Sequence, residues 1–190
     1  LVIKDYSEEN NGNEIEEGSS GTPISKIRIN TISSLGQNGW ASFCSFNFKD
    51  SNGNAFLFGN KLSGEGSTSV EFENGEINIS SHYPNGTNYY GEYLLSEHVG
   101  NQVVGQLDYW LSTNGDYAGT AWAEFVFEPA VDIASFQYSD FCEFNRKTNV
   151  YDFIIYDESW LELGTKSVTS LASPTKYTLN TVIISDIINP

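Results

Sequence analysis

The stretch Val150-Tyr151-Asp152-Phe153-Ile154-Ile155-Tyr156-Asp157 decides the fold class. Side chains alternate along a β-strand, so Tyr151, Phe153 and Ile155 share one face. Val150, Asp152, Ile154 and Tyr156 share the other. Both faces are largely apolar, the pattern of a strand in a sandwich interior. Similar runs, rich in β-branched and aromatic residues, lie on either side. They are Ile24–Ile32, Ala41–Lys49, Ala55–Phe58, Ser69–Phe72, Glu76–Ser80, Tyr89–Leu95, Trp122–Phe127, Asp132–Phe144, Trp160–Leu163 and Lys176–Ser185. Six Asn-Gly pairs punctuate them, beginning at Asn11, Asn38, Asn52, Asn74, Asn85 and Asn114. Asn-Gly supplies the positive φ that tight hairpin turns require. No window of eleven or more residues carries a clean 3.6-residue period, so almost no helix is expected. Closely spaced strands of this kind build a sandwich or a jelly roll.

Composition bounds the function. The chain has 190 residues, with 9 Lys+Arg against 25 Asp+Glu and a net charge of −16. Clustered cations are what nucleic acids and anionic membrane surfaces require, so neither partner is expected. No apolar run approaches a membrane span, and no membrane insertion is expected. Residues 1–23 hold Asp5, Glu8, Glu9, Glu14, Glu16 and Glu17 against Lys4. They read as a solvated acidic linker or, alternatively, as an acidic N-terminal arm that orders against a neighbouring subunit with Leu1, Val2, Ile3 and Tyr6 as its apolar anchor. Residues 24–190 read as one β-sandwich domain, with inserted hairpins at 60–90. The chain starts at Leu1 and contains no Met, which reads as a processed or truncated start. Cys44 and Cys142 are the only cysteines, and either one disulfide or two buried thiols fits them.

The motifs speak against catalysis. Glu71-Phe72-Glu73-Asn74-Gly75-Glu76 superficially resembles the acidic strand of a jelly-roll glycanase family. That chemistry needs an unbroken strand aiming its carboxylates into one cleft, whereas Asn74-Gly75 turns the chain. His82 and His98 are isolated from partners for acid–base work. Asp50-Ser51-Asn52-Gly53-Asn54 begins like a Ca²⁺ loop but lacks the closing Glu, so a plain hairpin is expected. Aromatics beside loops and strand ends, among them Trp40, Tyr83, Tyr109, Trp110, Trp122 and Trp160, offer flat faces with a polar edge, as sugar recognition uses.

Gly115–Phe136, which includes Trp122-Ala123-Glu124-Phe125-Val126-Phe127-Glu128-Pro129, resembles the central stretch of discoidin-type (coagulation factor V/VIII C-domain-like) galactose-binding domains. Asp108-Tyr109-Trp110-Leu111-Ser112 is similar to a segment upstream of it, and Tyr151–Tyr156 with Trp160–Leu163 to the closing strand pair. Lys26–Asn30 with Asn38–Phe48 looks like the N-terminal hairpin of copies carried by phage tail and virion proteins. The resemblance touches roughly residues 24–164, in separated blocks whose order agrees. It implies a galactose-binding-like jelly-roll β-sandwich. Trp110 and Trp122 match core positions of that family and leave the list of sugar contacts. The family's structural Ca²⁺ would fall to Glu97, Asn101 and Asp108, where only Gly100 and Asn101 match its loop. Apart from that calcium no cofactor is expected.

The expectation is therefore a non-catalytic carbohydrate-recognition module of a virion or secreted surface protein, extracellular or on a virion. Its partner would be a cell-surface or extracellular glycan. Loops at one end of the sandwich would carry the site, with Tyr89, Tyr90, Asn114, Asp116, Tyr117, Asn145 and Arg146 as ligand-binding residues. Arg146 is one of two Arg in the chain and offers a rigid fork of donors. The alternative is a structural subunit, a capsid decoration, tail or filament protein, assembling as a homo-oligomer or with virion neighbours through its terminal arms.

Overall fold

The computed structural model describes residues 22–34, 39–64, 67–82, 90–95, 109–113, 119–140, 148–170 and 178–189. They form two antiparallel sheets. The strands are β1 (Ile24–Ser34), β2 (Ser42–Lys49), β3 (Ala55–Phe56), β4 (Lys61–Ser63), β5 (Ser69–Phe72), β6 (Gly75–Ile79), β7 (Trp110–Leu111), β8 (Trp122–Val131), β9 (Ser135–Ser139), β10 (Thr148–Asp157), β11 (Glu162–Thr169) and β12 (Asn180–Ile183). One sheet runs β11-β10-β1-β8-β6-β5-β4. The other runs β12-β9-β2-β3, with β7 also paired to β2. The chain is thus nearly all β. Among the described residues no helix is long and apolar enough to cross a membrane.

Strand alternation sends one face of each sheet into a shared aromatic core. Ile27 and Ile29 of β1, Phe125 and Phe127 of β8, and Tyr151, Phe153 and Ile155 of β10 are at most 1% exposed. From the second sheet, Phe46 packs 4.7 Å from Phe125, and Phe136 packs 4.9 Å from Phe153. The first pair is tilted and the second edge-on, while other core pairs such as Phe46 with Tyr138 are stacked. Each fully buried ring contributes about 1.5–3 kcal/mol.

Three expectations change here. Val150, Ile154 and Tyr156 of β10 do not enter the core; they lie partly exposed on the sheet's outer face, so β10 has one core face. Lys26–Asn30 and Asn38–Phe48 do not form a hairpin. β1 sits between β8 and β10, while β2 sits in the other sheet between β3 and β9. Within Tyr89–Leu95, Gly91–Leu94 is a 3₁₀ turn rather than strand. Lys61 Nζ bonds Glu92 at 2.9 Å from the side, and Leu94 is fully buried.

The turns follow their chemistry. In the β2–β3 hairpin the Asp50 carboxylate accepts the N–H groups of Asn52 and Asn54, with Gly53 at φ +82. The β5–β6 hairpin turns on Glu73-Asn74, one residue earlier than expected, and Gly75 pairs with Phe72 at φ +146. At the C-terminus, β12 pairs with β9 in the chain's own sheet, and a single turn of helix, α1 (Ser185–Ile188), replaces the end of the expected strand. Val182, Ile184 and Ile187 join the core.

Candidate functional site

The outer face of the seven-stranded sheet carries the densest functional chemistry among the described residues. Its centre is β1, where Ile27 and Ile29 point inward and Lys26, Arg28 and Asn30 point outward. On β8, Val126, Glu124 and Trp122 lie opposite these three. On β10, Tyr156, Ile154 and Asp152 do. Cross-strand register therefore gathers residues separated by about a hundred positions in sequence.

Glu124 is the hub. Its Oε1 takes Arg28 Nη1 at 2.8 Å and Lys26 Nζ at 3.4 Å. Arg28 Nε also donates to Asn30 Oδ1 at 2.8 Å. The cations stack on rings. Arg28 lies 4.5 Å from the Trp122 ring centre, and Lys26 Nζ lies 4.3 Å and 4.2 Å from those of Tyr156 and Trp160. Such contacts contribute about 0.5–2 kcal/mol each, more as they are shielded from water. Burial, then the neighbouring Glu162, raises the Tyr156 hydroxyl above the ordinary tyrosine range, so it remains a donor at neutral pH. With Asp152 on the same face and Glu162 beside Tyr156, the patch sets Lys26 and Arg28 among several carboxylates and gathers charges of both signs.

Trp160 gives the patch its open aromatic surface. It sits in the β10–β11 turn, where Asp157 Oδ1 accepts the N–H groups of Ser159 and Leu161 at 2.8 and 2.9 Å. The turn holds Trp160 at φ +62 and leaves it 58% exposed. A bulky residue in the left-handed region carries about 1–3 kcal/mol of strain, and such strain concentrates at functional sites. Trp122 is also partly exposed on this face, which corrects its assignment to the core. Trp110 is fully buried, as are Tyr109 and, nearly so, Trp40.

Of the loop residues expected to bind ligand, Tyr90 alone is described. Its ring lies 4.9 Å from that of His82 and 6.5 Å from that of Tyr93. Tyr89, Asn114, Asp116, Tyr117, Asn145 and Arg146 lie outside the described residues, as do Glu97, Asn101 and Asp108. Among the described residues no three His, Cys, Asp or Glu side chains group as metal ligands. In the β5–β6 hairpin Glu71 and Glu76 are cross-strand partners, while Glu73 sits apart at the turn, and each acid is held by a neighbouring polar side chain. Glu73 bonds Asn60 at the tip, Glu71 accepts from Ser63 and Glu76 from Ser69.

Arg146 lies outside the described residues, and Arg28, the chain's other Arg, is not among the expected ligand-binding residues. The alternation of Lys26-Ile27-Arg28-Ile29-Asn30 already marks a strand with a charged face. That the face meets Glu124 and Trp122 depends on β1 pairing with β8, which strand-by-strand reading does not supply. Cys44 is disulfide-bonded and fully buried, and Cys142 is the chain's one other cysteine.

No protein-family model matches the chain, and no curated protein or solved structure matches it. The outer-face patch must therefore be read from its own chemistry.

Proposed function

We propose that this protein is a non-catalytic carbohydrate-recognition module of a secreted or virion surface protein, and that its sandwich is a galactose-binding-like jelly roll. The observation that carries the reading is Trp160, held exposed at φ +62 beside the cation-stacked Tyr156 and Lys26. Aromatic faces pack against the apolar faces of sugar rings, while Arg28, Asn30, Glu124 and the Tyr156 hydroxyl supply donors and acceptors for sugar hydroxyls. From Trp122 to Tyr156 the patch spans two strand spacings and four residues of rise, about 16 Å, long enough for an oligosaccharide. The ligand is therefore an extended glycan rather than a single sugar, and the chain's net negative charge favours a neutral one. The Cys44 disulfide supports an extracellular setting, because such bonds persist in oxidising compartments.

A broad glycan panel tests the proposal. Binding to a neutral oligosaccharide that weakens on Trp160→Ala supports it. Absence of binding across the panel, together with a native mass corresponding to a shell or filament, would replace it with the structural-subunit reading.

A further inference from the structure

A cavity of about 240 Å³ opens between the two sheets, where edge strands β11 and β12 approach each other. Its deepest lining residues are Tyr151, Tyr138, Asp140 and Val182, none more than 3% exposed. Lys166 and Val168 of β11 line it from the half-buried edge.

The hydrogen bonds at the base fix the chemistry it offers. Tyr151 Oη donates to Asp140 Oδ2 at 2.8 Å. A phenol has one proton, so in the 2.7 Å contact between the two phenols Tyr138 is the donor and Tyr151 the acceptor. Both tyrosine protons are thereby committed. Burial raises both hydroxyls well above the ordinary tyrosine range, so neither loses its proton. At the base, among the described residues, what remains is acceptors: phenol lone pairs and the second Asp140 oxygen, whereas Lys166, Thr169, Asn180 and Thr181 add donor groups elsewhere in the lining. Lys166 forms no ion pair among the described residues. A buried carboxylate with half its capacity unmet calls for a cationic donor.

We propose that this cavity binds a small organic ammonium, with the ammonium N–H groups on Asp140 and its carbon frame against Val168 and Val182. Among the described residues an anion finds no uncommitted side-chain proton at the base, and its one lining cation, Lys166, stands at the edge. A divalent metal would need several more anionic oxygens than the one carboxylate supplies, and the cavity is many times the ~30 Å³ share of a single water. The chain's net charge of −16 raises the local concentration of cations. This site is separate from the outer-face patch and does not depend on the glycan reading.

The test uses the full chain, with ethanolamine hydrochloride as probe, ethylene glycol as its uncharged counterpart and NaCl at matched ionic strength. Calorimetric titration and thermal melts are the readouts. Expected are saturable millimolar binding of ethanolamine with a rise in Tm, and at least tenfold weaker binding of ethylene glycol. Asp140→Asn removes the ethanolamine response. Because Asp140 is buried and that variant can misfold, Lys166→Met serves as the second arm: it removes a competing cation at the edge and strengthens ethanolamine binding at least threefold. No saturable ethanolamine binding, an equal response to ethylene glycol, or a Lys166→Met variant with unchanged or weaker affinity would overturn the proposal.

Discussion

Gly75 shows at the scale of one residue how backbone and packing reinforce each other. Its φ of +146 disfavours any side chain, and a Cβ there would lie 2.0 Å from the carbonyl oxygen of Val126 on β8. Gly75→Ala must therefore push β6 from β8, and urea unfolding should register a loss of about 3 kcal/mol or more. An unchanged midpoint would mean that β6 does not pack this closely. Asp50 and Glu73 set a different expectation. The Asn54 side chain at Asp50, and the Asn60 backbone N–H at Glu73, hold both carboxyls below their ordinary values of 3.8 and 4.5. A carboxyl whose folded pKa is depressed contributes stability above its unfolded pKa and loses it as pH falls through the folded one. Tm should therefore fall as pH drops from about 5 to about 2, and Asp50→Asn should flatten part of that fall. Both groups are fully exposed, so each contributes little. A wild-type Tm independent of pH over that range would contradict the assignment.

At the scale of elements, much of the strand pattern was legible because alternation is local. Ser69–Phe72 has the expected bounds, and β1, β2, β8 and β10 fall within the expected runs or extend them by a few residues. Sheet membership was not legible. β1 pairs with β10 across more than a hundred residues, and no local signal distinguishes that from pairing with β2. The outer-face patch was missed for the same reason: Arg28, Glu124 and Tyr156 become neighbours only once β8 and β10 flank β1. Trp160 stood among the candidate aromatics, but its exposure depends on the Asp157-capped turn. The helical turn α1 is too short to show a period, and it docks where Gly164 allows the Ile187 carbonyl within 2.4 Å of a would-be Cβ. The Cys44 disulfide was one of two readings open in the sequence. With Cys142 as the other cysteine it closes a loop of roughly a hundred residues, and its reduction should cost about 2–5 kcal/mol by the chain-entropy account. Melts with and without a strong reductant measure this. An identical Tm, with both thiols shown to be free, would contradict it.

For the whole molecule, the C-terminal segment is part of the core rather than a free arm. β12 pairs with β9, and Val182, Ile184 and Ile187 are each 3% exposed. At about 1.5–3 kcal/mol for each buried side chain, their removal consumes much of the 5–15 kcal/mol typical of a folded domain. Deleting residues 178–190 should give insoluble protein, seen by fractionation after expression; a soluble, cooperatively folding product would show that the strand is dispensable. The recognition reading makes its own demand on the intact molecule, that the outer face of one sheet bind sugar without the rest of the fold changing. Calorimetric titration of a neutral oligosaccharide, selected from the panel, into wild type and Trp160→Ala tests this most directly. Wild type should bind, and the variant should lose at least tenfold in affinity, about 1.4 kcal/mol, at unchanged Tm. Equal affinity in the two proteins would contradict it.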